Sequence, residues 1–496
     1  VSQRQVRSVR RPFRAPAALS LLLLAGAAPA PALWSSDPAR NLVIADGAND
    51  QVQAKIVARA DGGCYVSWFD NSTGGYDVRL QRLNADGDEM WPHNGVLVAD
   101  RGYSSTTDYG LAIDAAGNAL LAFRDDSTSP ERIVAAKISP TGAHLWGTPG
   151  IAVSDSTGYL ASPRITPTSD GSVVVAWTQD GDTVLQRLES GGAEQWPHGG
   201  FVLPHAGDNF ALADLHKAEA GRVIVSWVED TGFGSDRHLW AQKLDSGASL
   251  IWGAGHVQVF DLAGGSLQTA NFPPFESDGA GGAVFTWYTS TPTLQVRAQH
   301  ILADGTEVFV HDGVELSTDT SRYRVEPSGA YDPASGDLYA FWVEENQLQS
   351  LFGLYGQRLD STGARQWTAS GEELVPLGGN QLSQVRALYA HDGATVAWVQ
   401  TAHWDDEPIH ATRVLANGSF DWSPALVDVK SSNTGTLRMT AALMSDESAV
   451  FAWSDTATNW DVRGQNLHLD GTLGVPPVFA DGFESGDTSA WSFVQP

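Results

Sequence analysis

Residues 170–200 read DGSVVVAWTQDGDTVLQRLESGGAEQWPHGG. Asp170-Gly171 is a turn signal, and the apolar run after it ends in Trp177. VLQRL from Val184 gives a second strand. A tight turn and Trp196 follow, and a glycine leads into FVLP at 201–204. The same sentence is written eight times. Its marker aromatics are Trp68, Phe123, Trp177, Trp227, Trp287, Trp342, Trp398 and Trp453, spaced 50 to 60 residues apart. Asp-Gly turns precede several of them, at 61–62, 170–171, 278–279 and 392–393. Second strands follow from Asp77, Val184, Leu239, Val296, Leu354 and Asp461, with looser versions from Ile133 and His410. A second Trp then recurs at 91, 146, 196, 252, 367 and 422.

Four short strands per unit, joined by tight turns, make one small twisted sheet. Such a sheet cannot bury both faces alone. Several packed face to face around an axis can, and radial closure protects the edges. The sequence therefore predicts an all-β fold, an eight-bladed β-propeller over residues 41–471, with seven blades as the alternative count. The period exceeds that of WD40 repeats, and their Gly-His and Trp-Asp signature is absent. The eighth unit stops after Asp470-Gly471 without a fourth strand. Residues 41–46, NLVIAD, match GVLVAD at 95–100 almost residue for residue. They are expected to complete the last sheet beside DVRGQNL at 461–467.

The first 33 residues read differently. Five arginines (Arg4, Arg7, Arg10, Arg11, Arg14) precede an apolar stretch from Ala17 to Ala28 and a small-residue APAPA. This predicts a secretory signal peptide, too short to span a bilayer. Arg10-Arg11-Pro12-Phe13-Arg14 loosely resembles a twin-arginine signal, but Arg14 stands where an apolar residue belongs, so ordinary Sec export is expected, with twin-arginine export as the alternative. The expected location is secreted, periplasmic or cell-surface. Without those five arginines, 25 basic residues face 58 acidic ones, a net charge of −33. Such a surface repels nucleic acid and anionic membranes and favours a soluble monomer. It also attracts divalent cations, so calcium is a candidate cofactor and no other is implied. Cys64 is the single cysteine, so no intrachain disulfide forms. It shares a strand face with Val66 and Trp68 and reads as a small core residue.

The unit resembles the repeat of a widespread group of bacterial secreted proteins, of the form DGxGGxxxxWxDxRxGxxDxxxQRxxxxGxxxWxxxG. DGAGGAVFTW at 278–287 and WFDNSTGGYDVRLQRLNADGDEMW at 68–91 carry the likeness, which runs over about residues 41–471. The resemblance implies propeller architecture and export but no particular activity. Residues 472–496 read as a linker and tail. FADGFESGDTSAWS at 479–492 is similar to a short C-terminal tail of exported gammaproteobacterial proteins.

Connections between second and third strands, and between units, vary in length. Both sets fall on one side of the disc, the expected ligand face. An acid follows most marker aromatics there: Asp70, Asp125, Asp180, Glu229, Glu344 and Asp455. They read either as a carboxylate ring for cations or cationic ligands, or as caps and partners of arginines such as Arg79 and Arg463. Recurrence at one repeat position favours the second. Trp404 and Tyr103 are loop aromatics suited to stacking on a sugar. His93 and His198 sit in equivalent Trp-Pro-His turns two sheets apart and do not converge on one metal. No HExxH, CxxC, GxSxG, P-loop or GxGxxG pattern is present.

Three functions fit. The first is an exported non-catalytic binding propeller with a glycan or protein ligand. The second is a glycan-active hydrolase or lyase using carboxylates in the central funnel, for which Asp405, Asp406 and Glu407 break the repeat. The third is a calcium-stabilised structural protein.

Overall fold

The computed structural model describes residues 33–102, 108–154, 157–205, 209–230, 236–403, 405–456 and 459–475. These residues form eight antiparallel sheets arranged as a β-propeller. Blade 1 runs Gln51–Ala58, Cys64–Asp70, Asp77–Leu83 and Val96–Ala99 from the axis outward. The other blades repeat that order. In blade 5 the inner strand is broken into Ser266–Leu267 and Phe275–Ser277. The inner strand of every blade touches the blades on both sides, and the contacts run full circle.

The second strand of each blade is sandwiched between neighbouring blades. It therefore has no wet face, and its sequence is a continuous apolar run rather than an alternation. Cys64–Asp70 and Ala449–Asp455 are buried at every position. All seven marker tryptophans are fully buried, as is Phe123. Burial pushes the Cys64 thiol up to about 12, which keeps it inert.

The Gln-Arg pair of the third strand has two separate tasks. Gln81 Nε2 donates to the Pro92 carbonyl at 3.0 Å, and Gln186 to Pro197 at 3.0 Å, pinning the turn to the outer strand. Arg82 pairs with Asp61 of the Asp-Gly turn at 3.2 Å and donates to Pro140 O of the next blade at 3.0 Å. Arg358 does the same with Asp337 and Ala416 O. The second Trp also crosses to the next blade. The indoles of Trp146, Trp196, Trp252, Trp367 and Trp422 donate to backbone carbonyls of Ser190, Ser246, Ala303, Ala416 and Leu469. A turn glycine lies against each of several of these rings. A Cβ at Gly305 (φ +89°) would come within 2.8 Å of Trp252, so only glycine fits there.

The ring closes as the sequence predicts, with an addition. Leu42–Ala45 pairs antiparallel with Asp461–Leu467 as the outer strand of blade 8, with Leu42 opposite Gly464 and Ala45 opposite Val462. Blade 1 has the same register, with Val96 opposite Leu80 and Ala99 opposite Val78. The addition lies ahead of residue 41. Trp34 is buried and donates its indole N–H to Ala85 O of blade 1 at 3.0 Å. Gln465 Nε2 donates to Ser35 O at 2.6 Å. Trp34-Ser35 thus repeats the roles of Trp196-Pro197 and supplies the second Trp that blade 8 lacks. No helix among the described residues is long and apolar enough to cross a membrane.

Candidate functional site

The carboxylates that follow the marker aromatics are each engaged locally. Asp70 accepts from the Trp68 indole at 3.4 Å and from Ser72 N at 2.8 Å, and pairs with Arg79 at 3.3 Å. Asp125 is buried and pairs with Arg132 at 3.3 Å. Glu344 accepts from the Trp342 indole at 2.7 Å and pairs with Arg324 at 2.9 Å. Asp455 lies near the Trp453 indole at 3.3 Å, Arg463 at 3.5 Å and buried Lys430 at 3.4 Å. Glu229 accepts from the Trp240 indole at 2.8 Å. Asp180 is out of register, because Gln179 takes the Trp177 indole at 3.1 Å. Asp180 instead occupies the turn at φ 53° and accepts from Tyr159 N at 2.7 Å. Trp404 and Tyr103 lie outside the described residues. Of the three acids near Trp404, Asp405 is exposed, while Glu407 accepts from Thr436 N at 2.6 Å and ties the blade 7–8 connection.

A second set of ionisable residues lies on the wall of the axial channel. It was not singled out by sequence. The register of the inner strand shifts in six blades, between 52 and 55, 161 and 164, 212 and 214, 325 and 328, 383 and 386, and 437 and 440. In five of these bulges a non-glycine residue takes a left-handed backbone: Gln53, Ser162, Glu326, Gln384 and Arg438. Bulges re-aim side chains, and left-handed non-glycine residues at repeated positions are costly. The residue just past the bulge faces the residue before the marker aromatic. It is Lys55, Arg164, Asp214, Ser328, Arg386 and Thr440 in turn, and Gly110 holds the matching place in blade 2. One geometric position thus carries cations, an anion, hydroxyls and no side chain at all.

The charges form two groups. Across blades 1 to 4 they make a chain: Lys55 to Asp108 at 2.8 Å, Asp108 to Arg164 at 2.8 Å, Arg164 to Asp214 at 3.7 Å, and Asp214 to His216 at 3.0 Å. Burial opposes the charge on Asp108, but Lys55 and Arg164 outweigh it and hold the carboxyl well below its usual range. Burial likewise opposes the charge on His216, and Asp214 overcomes it and raises the imidazole. Across blades 5 to 8 the pairing is sparse. Glu276 accepts from Tyr331 N at 3.1 Å, and burial pushes its carboxyl up to about 7, with His216 pulling the other way. Glu326 accepts from Gln384 N at 2.7 Å and is also raised by burial. Arg386 donates to Val385 O at 2.8 Å. These groups are deep among their neighbours but still reached by water, so the channel is wet.

Two cavities of about 390 and 420 Å³ follow this wall and share Lys55 and Thr440. A wider one of about 700 Å³ opens at the other end, among the tight turns of blades 2 to 5. This opening lies on the face opposite the variable loops. Lys137 pairs there with Asp114 at 2.9 Å and Glu219 with Lys243 at 2.8 Å, while Lys217 also lines the opening.

Asp261, His311 and Asp312 bring one ligand atom each within 4.8 Å of the others. The same arrangement recurs where His93 meets Asp46 at 2.8 Å beside Asn94. The amide in place of Asp312 identifies the device as a hydrogen-bonded clamp between blades. His198 pairs with Glu194 within its own turn at 3.0 Å.

No protein-family model matches the chain, and no curated protein does. Solved structures resemble it in fold. One is an ulvan lyase of polysaccharide lyase family PL25 bound to -[GlcA(1-4)Rha3S]-, at TM-score 0.48 and 10% identity, over 88% of this chain and 97% of that one. Another is the BP39L lectin from Burkholderia pseudomallei, at TM-score 0.48 and 12% identity, over 76% and 99%. A third is prolyl oligopeptidase B from Galerina marginata, at TM-score 0.44 and 11% identity, over 82% and 55%. At such scores the likeness carries no argument about activity.

Proposed function

We propose that this chain is an exported, non-catalytic binding propeller whose ligand enters the axial channel. One observation carries the reading: a single position past the inner-strand bulge holds different chemistry in successive blades, while the framework positions around it repeat. A framework residue obeys the repeat, and a recognition surface departs from it. Pre-formed clefts with a few converging polar groups are the usual form of small-ligand sites. The test is to screen the full chain against arrayed glycans and proteins, then repeat with Thr440→Trp, which places a large ring where the two channel cavities meet. Binding lost on that change, with the melting temperature kept, is expected. Binding retained overturns the axial site, and turnover of any polysaccharide overturns the non-catalytic reading.

A second reading, a glycan-active hydrolase or lyase, is favoured by Glu276. Its carboxyl is pushed up to about 7 by burial, near His216, whose imidazole Asp214 raises, so it exchanges a proton near neutral pH. Glu276→Gln separates the two readings: it abolishes turnover in an enzyme and leaves equilibrium binding within a few-fold in a binder.

A further inference from the structure

The channel wall between blades 7, 8 and 1 differs in sign from the rest of the molecule. Its cavity of about 420 Å³ is lined by Gln53, Lys55, Asp108, Gln384, Arg386 and Arg438, among others. The chain has 30 basic residues against 58 acidic ones. Here three cations meet one acid, and that acid is already paired with Lys55 and Arg164. Arg386 and Arg438 make no ion pair among the described residues, and both are exposed to the channel. Glu326 is the acid that supports the charge on Arg386, which burial otherwise disfavours.

We propose that this cavity binds a saccharide carrying an oxyanion, a carboxylate or a sulfate ester. The inference rests on the axial-site reading and deepens it. Arg386 and Arg438 supply planar guanidinium forks suited to such a group; neither is held in a salt bridge among the described residues, and Glu326 acts on Arg386 only from beyond ion-pair distance. Lys55 adds a third positive charge. The acidic exterior surrounds a cationic interior, so an anion gains only once it is inside, where the low-dielectric wall focuses the field. Three residues of the wall, Gln53, Gln384 and Arg438, sit at left-handed bulge positions. Gln384 is fixed by donating to Thr436 O at 2.9 Å and accepting from Met439 N at 2.6 Å, so the wall is pre-formed. Seven of its ten lining residues carry an amide, hydroxyl or charged group, as a polyhydroxylated carrier needs. A nucleic-acid backbone is repelled by the outer charge before it reaches the axis.

The experiment is calorimetric titration of the full chain with four probes: trigalacturonate, its methyl ester, 3′-sulfolactose and lactose. An acidic probe is expected to bind at least about tenfold more tightly than its neutral counterpart, with affinity falling as salt rises. Whichever of the carboxylate and sulfate probes binds identifies the oxyanion. Arg386→Gln and Arg438→Gln should each weaken it about tenfold while the melting temperature stays put. Equal binding of acidic and neutral probes, abolished by Thr440→Trp, overturns the oxyanion inference and leaves the axial site standing. Acidic probes bound equally well by Thr440→Trp overturn the axial site. No binding of either acidic probe, or tighter binding of tetraglutamate than of both, overturns the inference.

Discussion

The ring of marker aromatics and the axial wall are made by the same eight units, a few residues apart, and follow opposite rules. At the marker position seven blades carry Trp and one carries Phe, all fully buried. At the position past the bulge, Lys, Gly, Arg, Asp, Ser, Arg and Thr occur in seven blades. The markers fill identical gaps between blades, and identical gaps demand one shape. Most wall residues border water, where packing sets little rule and chemistry is free to differ; Gly110 is the exception, since a Cβ there would come within 2.8 Å of the Ile165 backbone. Mutations should therefore separate the two regions by size of effect on stability.

The largest effect is expected at the seam, where the frame depends on one short segment. Removing residues 33–45 strips blade 8 of its outer strand and of Trp34, exposing an apolar face and an unpaired edge. Loss of a cooperative melt is the expected outcome by calorimetry. Trp34→Ala alone should cost about 3–5 kcal/mol, like other buried Trp truncations. An unchanged melt in the deletion would mean that the ring closes without this strand.

Next comes a frame carboxylate. Asp455→Asn removes the acid beside Lys430, whose ammonium is buried and donates to Thr434 O at 2.6 Å. Burial lowers the Lys430 ammonium, and Asp455 is the main group that opposes this. The expected loss is about 3 kcal/mol in urea unfolding. Arg438→Gln on the wall should stay within about 0.5 kcal/mol, as substitutions at wet positions do. Similar losses for both would erase the distinction between frame and wall.

The frame was legible because its signals are local and repeated. Asp-Gly, the marker aromatic, Gln-Arg and the second Trp each perform one contact, so their spacing alone gave eight blades and the closing strand. Trp34 was missed because its role requires knowing that its indole meets Ala85 of blade 1 while Ser35 meets Gln465 of blade 8 across the seam. The wall was illegible for a different reason. A bulge interrupts six of the inner strands and breaks the period-two reading that would say which side chains face the axis. Lys55 and Arg386 lie 331 positions apart in a single cavity, and no spacing rule joins them. Asp180 shows the converse: it fell in the expected stretch, but the structural role went to its neighbour Gln179.

A smaller effect concerns Glu276 on the wall. Its folded value of about 7 stands above the ordinary 4.5. The folded state therefore favours the neutral carboxyl, and stability falls as pH rises from about 4.5 to 7. Glu276→Gln should remove that fall. Allowing for channel water, a gain of about 1–2 kcal/mol at pH 8 and almost none at pH 4 is expected from melts across that range. A pH-independent effect would place Glu276 in ordinary solvent.

The smallest effect tests the frame where it reaches the surface. His311 meets Glu307 at 3.0 Å and Asp261 at 2.9 Å. Burial is the largest single influence and opposes its charge, but the hydrogen bond and charge of Glu307, with Asp312 and Asp261, together win and raise the imidazole. For a raised histidine the stabilisation is complete below the unfolded value of 6.5 and fades as pH climbs through the folded one. His311→Gln should therefore cost stability at pH 6 and less at pH 9. Half of the side chain is exposed, so solvent screening holds the difference to a few tenths of a kcal/mol and added salt shrinks it further. The equivalent His93, between Glu89 and Asp46, should respond with the same sign because its imidazole is raised by the same kind of partners. If the two differ in sign, the clamps are not one repeated device, and the site at Asp261 regains interest as something other than frame.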